Sequence, residues 1–428
     1  MTGALCTAGL LTDKYELTML SSFVADGTAD HPAVFELFAR RLPEGRRFGI
    51  LGGLGRLLET LPDFTFSDAE KDWLIADGAL TEEAADWLGD FSFSGDIFAY
   101  PEGELYWPHS PVLTVTGRLG ECILLETLAL SIFNHDSAIA SAAARMTIAA
   151  QGRPLMEMGS RRAHEQAAVA VGRAAYLAGF SGTSNLAAGR RYAVPTIGTA
   201  AHAFTLAHRS ERAAFEAQIR ALGVGTTLLV DTYDIVDGIR TAISVAGVEL
   251  GAIRIDSGDL AVESRRARDL LDDLGATSTK IIVTSDLDEY VIAALADAPI
   301  DGYGVGTRVA TGSGHPTASM VYKLVAVADE PDGELRSVAK SSESKASLGG
   351  RKTAYRYGDG REFFSRDGHV PEGAAALQHH VVRGGEIMPQ PTLEESRHQV
   401  SRTLAALPDD VRQVSHGTAR QTVSEEES

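Results

Sequence analysis

The feature that most constrains the fold is an alternation of strand and helix patterns between residues 153 and 307. Helical patterns over residues 161–177, 211–222, 264–274 and 289–296 separate short β-prone apolar segments. The strand candidates are residues 154–158, 179–183, 194–198, 226–231, 251–256, 280–284 and 302–306. Such an alternation predicts parallel βα units. So many strands in one span favour a closed or nearly closed α/β barrel, with a doubly wound sheet as the alternative.

The rest of the chain predicts a second domain, because 428 residues are too many for one ordinary core. An alanine-rich stretch, residues 121–149, predicts a long helix. The sequence VYKLVAV, after Met320, predicts a strand that begins a return to the first domain. The predicted divisions are an N-terminal α+β domain (1–118), the barrel (119–312), a returning C-terminal segment (313–415) and a disordered tail (416–428).

Composition excludes several classes of protein. The formal net charge of −19 argues against nucleic acid as a partner, although a local basic pocket for a phosphate stays open. Only Cys6 and Cys122 occur, so the sequence predicts no disulfide framework and a cytoplasmic location. The N-terminus lacks the basic residues of a signal peptide, and we expect no membrane-spanning segment.

Polar side chains follow the predicted strands at the points where those strands end. In a parallel barrel these loops share one face, which is the active face of such folds. Glycine lets backbone N–H groups approach a phosphate, and serine or threonine adds a hydroxyl donor. Arg161 and Arg254 are fork-shaped donors that suit phosphate or carboxylate, and the carboxylates here could hold Mg²⁺ or ribose hydroxyls. Each of these polar loops is weak evidence alone. Their recurrence at consecutive strand ends is what predicts a ligand site on this face.

His202 stands out in the segment PTIGTAAHAF, just past a predicted strand end and at the start of a predicted helix. An imidazole in that place can act as a base or a nucleophile. The alternative is a helix-cap or core histidine. The neighbouring polar strand ends favour a functional role.

Nine segments together resemble the nicotinate phosphoribosyltransferase family over nearly the whole chain. They are LLTDKYELTML, MGSRRAH, GFSGTSNLAAG, PTIGTAAHAF, VDTYD, IRIDSGDL, SDLDEYVI, YGVGTRVAT and VYKLV. The resemblance implies the type II phosphoribosyltransferase fold, an irregular TIM-like α/β barrel with an α+β domain built from the N- and C-terminal segments. It implies that nicotinate and 5-phosphoribosyl 1-diphosphate (PRPP) form nicotinate mononucleotide and diphosphate in NAD biosynthesis. It also implies coupling to ATP hydrolysis through a phosphohistidine, in a ligase-type reaction, with Mg²⁺ as cofactor.

The resemblance assigns the nicotinate site residue by residue. Arg254 matches the arginine that binds the nicotinate carboxylate, and Thr199 matches a further nicotinate-site residue. Tyr15 matches an aromatic residue that stacks on the pyridine ring from the partner subunit, which implies a homodimer. Without the resemblance, Tyr15 is an ordinary half-buried aromatic of an amphipathic helix. Met158 stands where relatives that sandwich the ring place a phenylalanine, so the second half of that sandwich differs here.

Ser184 bears on the choice of base. Relatives that use nicotinamide place an acidic residue at this position, where a carboxylate would repel the nicotinate anion. A serine removes that repulsion and favours nicotinate. Quinolinate, with two carboxylates, would need a more basic pocket than the sequence shows.

The resemblance also assigns catalytic and phosphate-binding residues. His202 matches the phosphorylated histidine, and Asp256 is a second catalytic candidate. Asp256 and Asp259 serve either ribose or Mg²⁺ or, equally, cap a helix; no metal ligand is assigned. The residues predicted to contact PRPP are Arg161, Asp259, Gly306 and Thr307. Arg40, Lys345 and Lys352 reach diphosphate or are solvated surface charges.

Two other functions remain open from the residues alone. An aldolase or decarboxylase acting on a phosphorylated substrate would need a Schiff-base lysine or a catalytic carboxylate at a strand end. No lysine stands at the strand ends, which counts against the first form. A non-catalytic sensor of a phosphate ligand would lack His202 or Arg254, and this chain has both.

Overall fold

The computed structural model describes residues 6–340 and 348–425, which belong to two compact units. One unit takes in Met1–Ala138 and Thr317–Ser428, and the other takes in Ile139–Pro316. We call them the end unit and the central unit. The central unit contains the predicted alternation of strands and helices.

The chain begins with small elements of the end unit and a long helix. Short 3₁₀ turns lie at Ala8–Leu11 and Leu61–Asp63. The helices are α1 Lys14–Ala25, α2 Leu54–Thr60, α3 Asp68–Ala76, α4 Glu82–Leu88, α5 Leu119–Leu124 and α6 Glu126–Ala150. The strands are β1 Pro32–Ala39, β2 Gly49–Ile50, β3 Asp96–Ala99, β4 Leu105–Tyr106 and β5 Leu113–Arg118.

The middle of the chain alternates strands with helices, as predicted. A 3₁₀ turn lies at Ser160–Arg162. The strands are β6 Leu155–Glu157, β7 Gly182–Thr183, β8 Thr227–Leu229, β9 Ala252–Ile255, β10 Lys280–Ser285 and β11 Gly302–Val305. The helices are α7 Glu165–Leu177, α8 Leu186–Tyr192, α9 His202–Leu206, α10 Glu211–Leu222, α11 Ile235–Ala246, α12 Leu260–Asp273, α13 Glu289–Ala294 and α14 Thr307–Ala310.

The last part of the chain is mostly strand. The strands are β12 Met320–Ala328, β13 Leu335–Ser337, β14 Thr353–Tyr357, β15 Glu362–Ser365, β16 Ala374–Ala376, β17 His379–Arg383, β18 Glu386–Ile387 and β19 Val423–Ser424. Two helices, α15 Leu393–Ala406 and α16 Asp409–Arg412, precede β19.

The central unit contains one parallel sheet in the order β7-β6-β11-β10-β9-β8. Six of the predicted strands are therefore present, and the predicted α/β class is confirmed. The candidate at residues 194–198 pairs only through an isolated parallel bridge between Thr183 and Thr196. That segment contains Pro195, which has no N–H to donate, and it ends at Gly198; both residues limit a ladder.

A residue without a side chain lets helix α11 pack closely on this sheet. In α11, Ile239, Ala242 and Ile243 form the buried stripe. Gly238 begins that stripe, and a Cβ there would lie 2.2 Å from the carbonyl oxygen of Val230. Only glycine permits this approach of helix to strand.

The end unit is built around an antiparallel sheet in the order β13-β12-β1-β5-β3-β17-β18. Strand β1 lies between β5 and β12, so residues far apart in sequence pair directly, as Phe35 does with Leu324. The rings of Phe35 and Tyr322 stack with centroids 4.9 Å apart in the core. A smaller sheet, β16-β14-β15-β19, belongs wholly to the last part of the chain.

The predicted disorder of residues 416–428 needs correction at residues 422–424. Strand β19 pairs with Phe363 and Phe364 of β15. Thr422 is buried, and its hydroxyl donates a 2.9 Å hydrogen bond to Glu362. Backbone pairing and a buried hydroxyl order this segment, whereas the sequence argument considered only its low apolar content.

The expectation that no segment is long and apolar enough to span a membrane also needs correction, at residues 119–150. By length and composition, Leu119–Ala150 passes as a membrane-spanning helix, with a mean hydropathy of 1.2. However, 67% of its apolar window is buried inside the protein, as in the core helix of a soluble protein.

Candidate functional site

The candidate site lies where the two edges of the parallel sheet are brought together. Along the chain, His202 follows the Thr196 bridge at one edge, and Thr232 follows β8 at the other. The two side chains nevertheless meet, with His202 Nδ1 3.2 Å from Thr232 Oγ1. A second contact of this kind joins Thr199 to Arg254 at the end of β9. The sheet therefore curls until its edge loops touch.

Two carboxylates face the other nitrogen of His202. Its Nε2 lies 3.9 Å from Asp231 Oδ1 and 3.8 Å from Asp256 Oδ2. The imidazole is 41% exposed, whereas the Asp231 side chain is 1% exposed. The imidazole is therefore partly open to solvent, and two carboxylates lie beside its Nε2.

Hydrogen bonds fix both carboxylates. Asp231 Oδ2 accepts from the Asp256 backbone N–H and from the Ser257 hydroxyl, each at 2.8 Å. The Thr284 hydroxyl donates to Asp256 Oδ1 at 2.5 Å. Asp256 therefore keeps Oδ2 directed at the histidine.

Arg254 is a cation without a counter-ion in the part of the chain that the structure describes. It donates one hydrogen bond, from Nη1 to Thr199 Oγ1 at 3.2 Å, and its Nε is buried without a partner. Burial lowers the pKa of this guanidinium; Asp256 and Asp231 oppose that effect, and the positive charge of Arg161 adds to it. An anionic ligand would relieve this imbalance.

Met158 lies beside the same strand ends. Its backbone N–H donates to the Val305 carbonyl at 2.8 Å. A Cβ on Gly304 would lie 2.9 Å from the Met158 sulfur and 2.4 Å from a methyl of Thr284. The absence of a side chain at Gly304 therefore leaves room for the thioether next to the residue that anchors Asp256.

Glu157 organises the loops that contain Ser184 and Gly159. Its carboxylate accepts from the Thr183 hydroxyl at 2.5 Å and from the Gly159 backbone N–H. Burial raises the pKa of Glu157, and these two hydrogen bonds oppose the rise. Ser184 is half-buried, and its N–H donates to the Glu157 carbonyl at 2.8 Å.

The predicted phosphate residues fall into two groups. Gly306 and Thr307 lie at the end of β11, and a Cβ on Gly159 would lie 2.9 Å from the Gly306 carbonyl oxygen. Arg161 is exposed in the turn that follows. Asp259 instead caps α12, since its Oδ1 accepts from the N–H groups of Ala261 and Val262 at 3.1 and 3.2 Å. Asp259 therefore caps the helix through Oδ1, as in the helix-cap alternative.

Tyr15 belongs to the end unit, on α1, and is 44% exposed. Burial of its hydroxyl, together with the charges of Glu126 and Glu16, raises its pKa.

The structure bears differently on the three basic residues that the sequence analysis named as possible diphosphate ligands. Lys352 is neither a free diphosphate ligand nor a solvated charge, because its ammonium donates to Glu36, Leu348 and Gly350. Lys345 lies outside the described residues, and Arg40 is half-buried at the end of the strand that contains Glu36.

Sequence reasoning did not assign Asp231, Thr232, Thr284 or Glu157. The segment VDTYD offered a signal for the first two, since a buried apolar strand ends there in a carboxylate and a hydroxyl. Among the described residues, no group of three or more His, Cys, Asp or Glu side chains could hold a metal ion.

Two family models and several curated relatives of one family match this chain. Residues 10–134 match the model of the nicotinate phosphoribosyltransferase (NAPRTase) N-terminal domain, and residues 154–356 match that of the nicotinate phosphoribosyltransferase (NAPRTase) family. Nicotinate phosphoribosyltransferase pncB1 of Mycobacterium tuberculosis (strain H37Rv) is 56% identical over 94% of this chain and 92% of its own length. The Bacillus subtilis nicotinate phosphoribosyltransferase is 39% identical over 81% of this chain and 72% of its own.

A solved structure matches the whole fold. The crystal structure of human nicotinic acid phosphoribosyltransferase has a TM-score of 0.83 and 26% identity, covering 97% of this chain and 98% of that one.

Proposed function

This chain belongs to the nicotinate phosphoribosyltransferase family, and on that premise we propose that it joins nicotinate to PRPP, releasing diphosphate, in NAD biosynthesis. The observation that best supports the proposal is the uncompensated guanidinium of Arg254 beside Thr199. Nicotinate carries a carboxylate, the natural bidentate partner of such a group. The displaced group is diphosphate, and the new bond joins the pyridine nitrogen to ribose C1.

The choice of nicotinate over nicotinamide rests on charge. Arg254 supplies an unpaired positive charge, and half-buried Ser184 supplies no negative one. An amide would leave the guanidinium unpaired, which disfavours nicotinamide. Met158 packs on the ring from one side, through a polarisable thioether.

PRPP binds along the loops of β6 and β11. Gly306 and Thr307 receive the 5-phosphate, and exposed Arg161 adds positive charge close enough to affect Arg254. Mg²⁺ commonly binds through one or two carboxylates and substrate phosphates rather than through a protein cage. The 40% exposed Asp256 side chain fits that role, and exposed Asp259 lies near it in sequence. When bound, the ion would neutralise charge on the departing diphosphate.

ATP is coupled through phosphorylation of His202. Two carboxylates face Nε2 and favour a proton there, while Nδ1 faces the Thr232 hydroxyl as a hydrogen-bond acceptor. The lone pair of the imidazole is then on Nδ1, and the Thr232 hydroxyl must turn away before that nitrogen reacts. That nitrogen attacks the terminal phosphorus of ATP, a P–N bond forms, and ADP leaves with the bridging oxygen.

The active form is a cytoplasmic homodimer in which Tyr15 completes the partner's nicotinate site. Tyr15 is 44% exposed, which leaves part of its side chain available for stacking. Cys6 and Cys122 are both unpaired, in line with a reducing compartment.

The test is diphosphate release from PRPP with nicotinate or nicotinamide, each with and without ATP. We expect release with nicotinate, increased by ATP, and an acid-labile phosphoenzyme labelled from γ-labelled ATP. His202→Ala should abolish the label. The matched control is His208→Ala, because His208 follows the same short helix, with Nδ1 2.7 Å from the Phe204 carbonyl oxygen and its ring centroid 4.6 Å from the Phe204 ring centroid.

Release with nicotinamide alone would contradict the base assignment. A normal label in His202→Ala would contradict the phosphohistidine. Phosphorus NMR of the denatured phosphoenzyme separates the two ring isomers, and a phosphoryl group on Nε2 would overturn the choice of nitrogen.

A further inference from the structure

A large cavity lies within the end unit, and it shares no lining residue with the candidate site. It has a volume of about 760 Å³, and its walls come from β4, the turn after β14, β16 and the end of α15. A smaller neighbour of about 320 Å³ shares four lining residues with it: Trp107, Asp359, Gly360 and Arg420. The larger volume is within the range of small-molecule sites.

The walls are largely apolar. Trp107 and Tyr357 supply aromatic surface. The aliphatic wall includes Leu105, Ala374, Leu377, Ala406, Leu407 and Pro408. A flat apolar body could bury its faces against such walls.

One of three lining arginines is already neutralised. Arg356 donates to Glu104 at 2.5 Å and to Glu362 at 2.7 Å, and its guanidinium stacks over Trp107 at 4.8 Å from the ring centroid. It therefore forms a rigid part of the wall and contributes little free charge.

The other two arginines are poorly paired. Arg402 is exposed and donates to the neutral amide oxygen of Gln399 at 2.7 Å, with no salt bridge inside the described ranges. Arg420 contacts the Asp410 carboxylate and the Asp359 carbonyl, all at 3.4 Å, near the limit of hydrogen bonding. Both guanidinium groups could make shorter bonds to a ligand anion.

We propose that this cavity is a binding site for a small organic anion with a flat apolar body. Arg402 and Arg420 bind the anionic group, and the aromatic and aliphatic walls bind the body. The site is separate from the proposed transfer reaction and does not depend on it.

The probe is 8-anilinonaphthalene-1-sulfonate, titrated into the folded full chain by calorimetry, first without PRPP and then with saturating PRPP. We expect one probe per chain. Arg402→Gln with Arg420→Gln should weaken binding roughly tenfold or more, as for lost charge-assisted bonds. Arg412→Gln is the matched control, since Arg412 is exposed nearby on α16 and does not line the cavity.

A second variant tests the volume. Ala406→Trp fills the cavity from the end of α15 and should abolish binding while thermal unfolding stays unchanged. Unchanged affinity in the double arginine variant, absence of binding to the wild-type chain, or displacement of the probe by PRPP would overturn the proposal. Because no turnover is measured, these results are independent of the outcome for nicotinate.

Discussion

Single residues in the candidate site act through charge that the fold leaves unbalanced. Arg254 has one hydrogen bond and no counter-ion in the described chain, while His202 has two carboxylates within 4 Å and no hydrogen bond to either. Arg254 could therefore bind an anionic ligand, whereas the imidazole of His202 lies next to two negative charges. In the proposed function, the first environment binds the nicotinate carboxylate and the second accepts the phosphoryl group.

Arg254→Ala should raise the KM for nicotinate roughly 30-fold, the equivalent of about 2 kcal/mol for a lost charge pair. The KM for PRPP should change much less. Arg254→Lys should restore only part of the loss, because an ammonium lacks the planar fork. Arg240→Ala, at an exposed position of α11, is the control. Equal losses for both substrates would remove Arg254 from the nicotinate carboxylate.

The sequence was sufficient to place His202, Thr199, Arg254 and Asp256 at strand ends, and the structure brings these four together. It could not show that Asp256 faces the histidine while Asp259 caps a helix, because both follow the same strand and both are aspartates. That difference depends on which way the loop turns. The prediction for Lys352 was wrong for a similar reason, since its partner Glu36 is far away in sequence.

Secondary-structure elements concentrate negative charge behind the histidine. Helices α10 and α11 both begin near Asp231, and Glu211 at the start of α10 feels Asp231, Asp234 and Asp237. Burial, and then these three charges, raises the pKa of Glu211 to about 7. Its Oε1 is buried without a hydrogen-bond partner in the described chain.

The folded state should therefore bind a proton at Glu211 between about pH 4.5 and 7, where the unfolded chain has released it. Folding stability falls as pH rises across that window, because the folded state binds more protons there. Glu211→Gln should flatten this part of the Tm profile and raise Tm at pH 8. Glu216→Gln, on the exposed side of the same helix beside Arg212, is the control. Identical profiles for both variants would contradict the assignment.

In the central unit, α10 begins and ends where its pattern predicts, whereas α7 begins four residues later and α12 four residues earlier than predicted. A larger difference concerns the strand candidate around Thr196. Its apolar pattern resembles a strand, yet it makes only two backbone hydrogen bonds with Thr183, each at 3.0 Å. Periodicity reports which side chains are buried and does not report how many backbone partners are available.

At the scale of the whole molecule, both chain ends build one unit. Glu36 in β1 is buried and paired with Lys352, whose ammonium lies 2.7 Å from its carboxylate. Burial raises the pKa of Glu36, and Lys352 opposes the rise. A buried pair of this kind stabilises little in total but is costly to break.

Lys352→Met should destabilise the protein by roughly 3–5 kcal/mol, because it leaves a buried carboxylate without its partner. Adding Glu36→Gln should recover part of the loss, measured by denaturant unfolding at pH 7. Arg336→Met, which breaks the exposed pair with Asp329, is the control. A double variant no more stable than Lys352→Met would contradict the pairing argument.

The proposed homodimer gives a test by complementation. Tyr15→Ala and His202→Ala should each be nearly inactive alone. Mixed under conditions that exchange subunits, they should regain activity, because one mixed site contains both native residues. No recovery, with subunit exchange verified by mass, would place Tyr15 outside the partner's site.

The position of β1 has a consequence for how the chain is made. Strand β1 emerges early in synthesis, yet its partner β12 lies beyond the entire central unit. The central unit can complete its own sheet first, while β1 waits with an unpaired, apolar edge. Such an edge is a template for intermolecular pairing, and closing so long a loop is slow. Folding yield should therefore depend on how well this strand is shielded during translation. The ribosome-bound nascent chain is the stage at which the protein is most prone to aggregate through β1.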